Sequence, residues 1–184
     1  MADPIRRVGR FGPVFLLLLG FLTGCSTMPA QAPLATVRSV DLQRFMGDWY
    51  VIASIPTFIE KEAYAAVESY ALDPDGTVAT TFTFRKGGFD GPQKRYTPKG
   101  FIVDTTTNAT WGMRFIWPIK AEYLILDLAP DYSTTIIGRN KRDYLWVLAR
   151  APVLPDDQYA ALVRKAEDLG YDASLIRKVP QRAP

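Results

Sequence analysis

Histidine is absent from this chain, and cysteine occurs once, at Cys25. Without histidine there is no Ser-His-Asp or Cys-His centre, no histidine general base and no His-ligated zinc. A single cysteine excludes a thiolate-rich metal site and any disulfide within the chain. No metal and no cofactor is therefore expected, and carboxylate chemistry alone is left for catalysis. Charge of one sign is also scarce, with 22 basic residues against 19 acidic ones and a net charge of +3. Residues 1–24 hold Arg6, Arg7, Arg10 and Asp3, so the rest of the chain carries only +1. That balance gives no electrostatic footprint for nucleic acid. Long apolar runs are missing too. The one candidate, Phe11–Leu22, is about half the ~20 residues that a membrane-spanning helix needs.

What stands around that run is informative. Arg6, Arg7 and Arg10 precede it, and Leu22-Thr23-Gly24-Cys25 follows it. The pattern resembles a secretory signal peptide ending in a lipobox. The Arg6-Arg7 pair also suggests twin-arginine export, but its flanking residues fit that signal poorly. The lipobox resemblance implies that residues 1–24 are removed, that Cys25 is acylated as a lipid anchor, and that the protein belongs to a bacterial envelope. Ser26, where inner-membrane lipoproteins carry Asp, implies the outer membrane, with the protein facing the periplasm. Residues 25–36, rich in Ser, Thr, Pro, Ala and Gln at their start, read as the lipidated cysteine and a flexible tether.

The body of the chain, 37–184, reads as one domain with one sizeable core. Asp41 is placed to cap a short helical turn that Gly47 ends. Eight strands separated by turn signals follow: Trp49–Ile55, Ala65–Leu72, Thr77–Arg85, Lys94–Val103, Thr110–Ile116, Glu122–Leu128, Ser133–Gly138 and Tyr144–Arg150. Asp73-Pro74-Asp75-Gly76 has the residue order of a type I turn. Pro98 confines the fourth strand to an edge or a bulge at that point. The pattern then switches to helical spacing at Tyr159, Leu162, Val163, Ala166 and Leu169, with Pro155 and Asp156 before it and Gly170 as a stop. A last strand near Leu175–Val179 is placed to pair with the first. The expected fold is all-β: an eight-stranded antiparallel up-and-down barrel with one C-terminal helix packed on its outside.

Phe45-Met46-Gly47-Asp48-Trp49-Tyr50 resembles the first signature of the lipocalin family. Asp131-Tyr132 resembles the second signature, without the Thr that often precedes it, and Asp143 to Arg150 resembles the third. Together with the late helix and the lipobox, these residues resemble the bacterial outer-membrane lipocalins of the Blc type, relatives of apolipoprotein D. The resemblance implies that Trp49 plugs the closed end and that Arg150 packs across its ring. Gly47, Trp49 and Arg150 are then structural. It also implies a small hydrophobic ligand, a fatty acid or lysophospholipid, and it allows a homodimer without requiring one.

Period-two alternation assigns the cavity wall. Counting from Trp49 sends Val51, Ala53 and Ile55 inward, and counting back from Arg150 sends Leu148 and Trp146 inward. Trp111, Met113 and Phe115 share the inner face of the fifth strand, and Leu124, Leu126 and Leu128 that of the sixth, with Asp127 outside. Phe58 and Ile59, in a loop at the open end, are placed as a lid, and Trp117 as a rim residue. Arg139, Lys141 and Arg142 are placed to meet a phosphate or carboxylate there. The expected ligand-binding set is Val51, Ala53, Phe58, Trp111, Met113, Phe115, Trp117, Leu124 and Trp146.

Two other functions are weighed against this one. A carboxylate-dependent hydrolase would draw on Glu60, Glu62 and Glu68. Here Glu60 and Glu62 read as a solvated loop and Glu68 as outward-facing, so no enzyme is expected. A scaffold using the outer face of the barrel would need exposed apolar surface there.

Overall fold

The computed structural model describes residues 31–182. The expected signal peptide and Cys25 lie outside those residues. One helical turn, α1 (Leu42–Phe45), leads into β1 (Gly47–Ile55), β2 (Ala63–Leu72) and β3 (Val78–Lys86). Asp41 caps α1 by accepting from the Arg44 backbone N–H at 3.2 Å. Gly47 adopts φ of +92°, the left-handed region in which a side chain is strained, and so lets the chain turn into β1. The turn before β3 closes through the Gly76 N–H donating to the Asp73 carbonyl at 3.0 Å.

Pro98 divides the expected fourth strand in two. β4 (Gln93–Tyr96) pairs with the outer part of β3, and β5 (Lys99–Ile102) with its start. Proline offers no N–H to the ladder, and the break falls where that donor is missing. Then come β6 (Thr110–Ile116), β7 (Ile119–Leu128), β8 (Thr134–Gly138) and β9 (Leu145–Ala149). β9 pairs back to β1, which closes the antiparallel barrel of eight once β4 and β5 are counted as one strand. β10 (Arg177–Lys178) pairs with the upper part of β1, where β2 has left it. Gln181 bridges that parting, its Nε2 donating to the Val51 and Ala66 carbonyls, both at 2.9 Å.

α2 (Asp156–Asp168) lies on the outside of the barrel. Leu162 and Ala166 bury against Ile52, Ala53, Leu124, Leu126, Ile136 and Val147. Gly170 at φ +86° ends the helix, and the Tyr171 N–H returns to the Ala166 carbonyl at 3.1 Å. Lys165 and Asp127 pair at 2.8 Å across the helix–barrel seam. Tyr171 then ties the helix end to the barrel, its hydroxyl accepting from the Arg139 N–H at 2.8 Å and donating to the Arg139 carbonyl at 3.0 Å. A methyl group on Gly138 would overlap that hydroxyl and approach Leu126 Cδ1 to 2.8 Å. Gly138→Ala is therefore expected to cost about 1–3 kcal/mol of unfolding free energy, measured by urea titration.

Because α2 covers one side, the barrel has two apolar surfaces, and this corrects the predicted facing of several residues. Ala53, Ile55, Leu124 and Leu126 pack beneath the helix rather than inside. In β1 a bulge between Val51 and Ala53 shifts the register, so the residues after it change face. In β7 the interior residues are Tyr123 and Ile125, and a bulge after Ile125 leaves Asp127 outside and returns Leu128 to the inner cluster. Residues Ala32 and Leu34, assigned to the tether, are held against the barrel. The Leu34 N–H donates to Asn140 Oδ1 at 2.7 Å, and Arg142 Nη2 donates to the Ala32 carbonyl at 3.0 Å.

Candidate functional site

One end of the barrel is plugged by aromatic rings. Phe45 lies 5.1 Å from the Trp49 ring, 5.4 Å from Trp111 and 5.7 Å from Tyr70. The Trp49 indole N–H donates to the Phe45 carbonyl at 2.8 Å. Arg150 covers the other side of Trp49 at 3.8 Å, and its guanidinium donates to the carbonyls of Arg44, Phe45, Met46 and Asp48 at 2.7–3.1 Å. Three carbonyls at the end of the helical turn and one in β1 are satisfied by one side chain, which makes this plug a rigid floor.

Above it is a cavity of about 450 Å³ that opens at the other end of the barrel. Met113, Phe115 and Trp146 line it as placed from the sequence, and Phe58 and Ile59 overhang it. Trp111 and Val51 sit deeper, within the inner core. Trp111, Tyr123 and Trp146 form a stacked aromatic wall, with centroid separations of 5.4 Å and 6.5 Å. Trp117 is not part of that lining. It stands at the tip of the β6–β7 turn, 78% exposed, beside Ile116 at 73% and Ile119 at 70%. Arg142 is occupied in holding the Leu169, Asn140 and Ala32 carbonyls, and Arg139 pairs with Asp143 at 3.3 Å. Arg139 lines the cavity, and Lys61, Lys86 and Lys94 stand around a recess of about 510 Å³ that shares Phe58, Ile59 and Tyr96 with it.

Two carboxyls are placed otherwise than the sequence suggested. Glu68 pairs across the sheet with Phe82 and faces the cavity. Glu60 is 9% exposed, and both its oxygens accept from the Trp146 indole N–H at 3.3 Å while Oε2 takes the Thr57 backbone N–H at 3.0 Å. Only Glu62 is a solvated loop residue, 3.8 Å from Lys86. Loss of hydration pushes the Glu68 carboxyl up to about 8, with the nearby Glu60 charge adding to it. Burial also raises Glu60, against the hydrogen bonds from Thr57 and Trp146, which lower it. Tyr70 donates to Glu68, and its oxygen lies 2.6 Å from that of Tyr123. The phase of β3 was a usable signal for part of this group: Val78, Phe82 and Phe84 face inward, so Thr80 does also.

A largely apolar wall, a rigid floor and an open end can hold a small hydrophobic molecule. Among the described residues no three His, Cys, Asp or Glu side chains gather as a metal set.

Comparison with known proteins agrees with this geometry. Residues 40–181 match the model of the lipocalin-like domain, a ligand-binding carrier module rather than an enzyme. Temperature-induced lipocalin-1 of Arabidopsis thaliana is 33% identical over 166 residues, covering 84% of this chain and 86% of the relative. Outer membrane lipoprotein Blc of Escherichia coli (strain K12) is 25% identical over 170 residues, covering 87% and 90%. Insecticyanin from the tobacco hornworm Manduca sexta superposes with a TM-score of 0.65 at 19% identity, covering 84% of this chain and 88% of its own. The likeness is to Blc-type lipocalins, and the chain belongs to the lipocalin family.

Proposed function

We propose that this protein is a tethered lipocalin that binds fatty acids or lysophospholipids in a bacterial envelope, moored to the outer membrane through acylated Cys25 and facing the periplasm. The observation that carries the reading is the open cavity of about 450 Å³ with its aromatic wall. Burying an acyl chain there contributes roughly 0.8 kcal/mol per methylene. An anionic head at the opening would meet Lys61, Lys86 and Lys94.

The course of the N-terminal segment supports an orientation. From Val40, bonded to Thr107 at the plugged end, the chain runs back past Ile125 to Asn140 and Arg142 at the open end. Only residues 26–31 separate Ala32 from the proposed anchor, and a tether that short suits an opening turned toward the lipid surface. Phe58 and Trp117 stand on that rim, 81% and 78% exposed, with the three lysines around the recess that Phe58 lines. Solvent-facing aromatic residues next to cations suit a lipid interface.

Delipidated protein carrying Cys25→Ser is expected to show saturable Trp quenching with a single-chain lysophospholipid and to retain it in native mass spectrometry. Absence of both would refute the binding. Phe58→Ser with Trp117→Ser is expected to reduce sedimentation with anionic phospholipid vesicles at least fivefold. Unchanged sedimentation would sink the orientation while leaving the cavity intact.

A further inference from the structure

The floor of the cavity is polar, and its polarity has one direction. With the Glu68 carboxyl ionised, Tyr70 donates its only hydroxyl proton to it, and across the 2.6 Å contact Tyr123 is then the donor to Tyr70. Two phenols thus form a relay whose acceptor end is the Glu68 carboxyl. Glu60 is likewise surrounded by donors, the Trp146 indole and the Thr57 N–H. Thr80 adds an independent sign of a missing ligand. It is 4% exposed and lines the same cavity, and its Oγ1 has no hydrogen-bond partner among the described residues. It lies next to this group because it pairs with Tyr70 across β2 and β3. Buried hydroxyls left unpartnered are uncommon, and one on a residue of a cavity wall marks a place for a ligand atom.

No cation of the protein neutralises this group. The other titratable side chains on the cavity wall are Tyr96, Glu122, Arg139 and Tyr144. Glu122 is held by the Asn140 N–H and Nδ2 at 2.6 Å, and Arg139 lies 3.3 Å from Asp143 and against Tyr144, its Nε in no hydrogen bond among the described residues. Two carboxyls, each furnished with donors and neither with a positive partner, select against an anionic head at the floor and for a cationic one.

We propose that Glu68, with Thr80 beside it and Glu60 above, is a recognition site for the ammonium group of a single-chain amphiphile that enters the barrel head first. The proposal rests on the barrel being a carrier of amphiphiles and adds the chemical class that its floor prefers. Anionic heads belong at the mouth lysines, and ammonium heads at the floor. The Tyr123–Tyr70 relay supports the carboxylate once the ammonium arrives, and Thr80 Oγ1 accepts one of its three N–H bonds. The carboxyl is protonated at neutral pH in the free cavity, its proton affinity raised by burial. An entering ammonium lowers that affinity, so binding releases a proton.

The test titrates delipidated protein carrying Cys25→Ser with dodecylamine, dodecanol and dodecanoate, read by Trp fluorescence at pH 7. Dodecylamine is expected to bind at least tenfold more tightly than dodecanol, and Glu68→Gln to bring the ratio of the two affinities to about one. Calorimetry in buffers of different ionisation enthalpy is expected to show release of about one proton with the amine and none with the alcohol. Equal affinity for amine and alcohol overturns the proposal while the carrier function stands. So does an amine advantage that survives Glu68→Gln, or amine binding without proton release. Failure of all three probes to bind overturns the carrier function as well. The ranking on the parent protein stands even where the variant does not fold.

Discussion

Trp49→Ala is expected to lower the unfolding free energy by about 3–5 kcal/mol, the range for removing a fully buried large aromatic side chain. Trp49 has no exposed surface, and it touches both sides of the plug, Phe45 at 5.1 Å and the Arg150 guanidinium at 3.8 Å. Its loss also orphans the Phe45 carbonyl from the indole donor. Arg150→Ala is expected to cost about 2–4 kcal/mol, because carbonyls of four residues lose a charged donor together. The two effects share one contact and will not add. A double-mutant cycle in urea should give a coupling of about 0.5–2 kcal/mol. A Trp49→Ala cost below 1 kcal/mol would show that the closed end is filled by other residues.

The plug was legible only through the resemblance of its residues to the lipocalin signatures, which specify them by type as well as by position. Gly47 is set by a positive φ, Trp49 by its size and Arg150 by its fork of donors, and none of them depends on counting faces. Strand order was legible from the turn residues, since Asp73 to Gly76 and Pro98 act locally. The facing of the strands was not. Alternation reports burial only when one face is wet, and α2 makes the outside of β1, β7, β8 and β9 as apolar as the inside. In β7, Tyr123 and Ile125 look no more interior than Leu124 and Leu126, and bulges in β1 and β7 reverse the count partway along. Glu68 was hidden for the complementary reason. A carboxyl between Val67 and Ser69 reads as solvent-facing, and only the closed barrel reveals that its inward face is a cavity. Glu60 sits in a loop beside Lys61 and Glu62, and its burial depends on Trp146, 86 residues away in sequence.

Glu68→Gln is expected to stabilise the protein at alkaline pH by about 2–4 kcal/mol and to remove most of the slope of its stability with pH. In the native state the carboxyl is pushed up to about 8 from its ordinary 4.5. Between those values the native state binds more protons than the unfolded chain. Stability therefore falls as pH rises from 4.5 to about 8 and is flat above, where both states have lost the proton. Below 4.5 both states are protonated, and there Glu68→Gln should differ from the parent by less than about 1 kcal/mol. Glu60, also raised by burial, adds a smaller slope of the same sign, so some pH dependence should persist in the variant. Urea unfolding at pH 4, 7 and 9 measures the profile. Parallel parent and variant curves would mean that Glu68 is hydrated in the native barrel. Dodecylamine should flatten the parent's slope without any substitution, because an ammonium at the floor supplies the counter-charge that the protein withholds. The same carboxyl that weakens the empty barrel above pH 4.5 then becomes the group that selects its ligand.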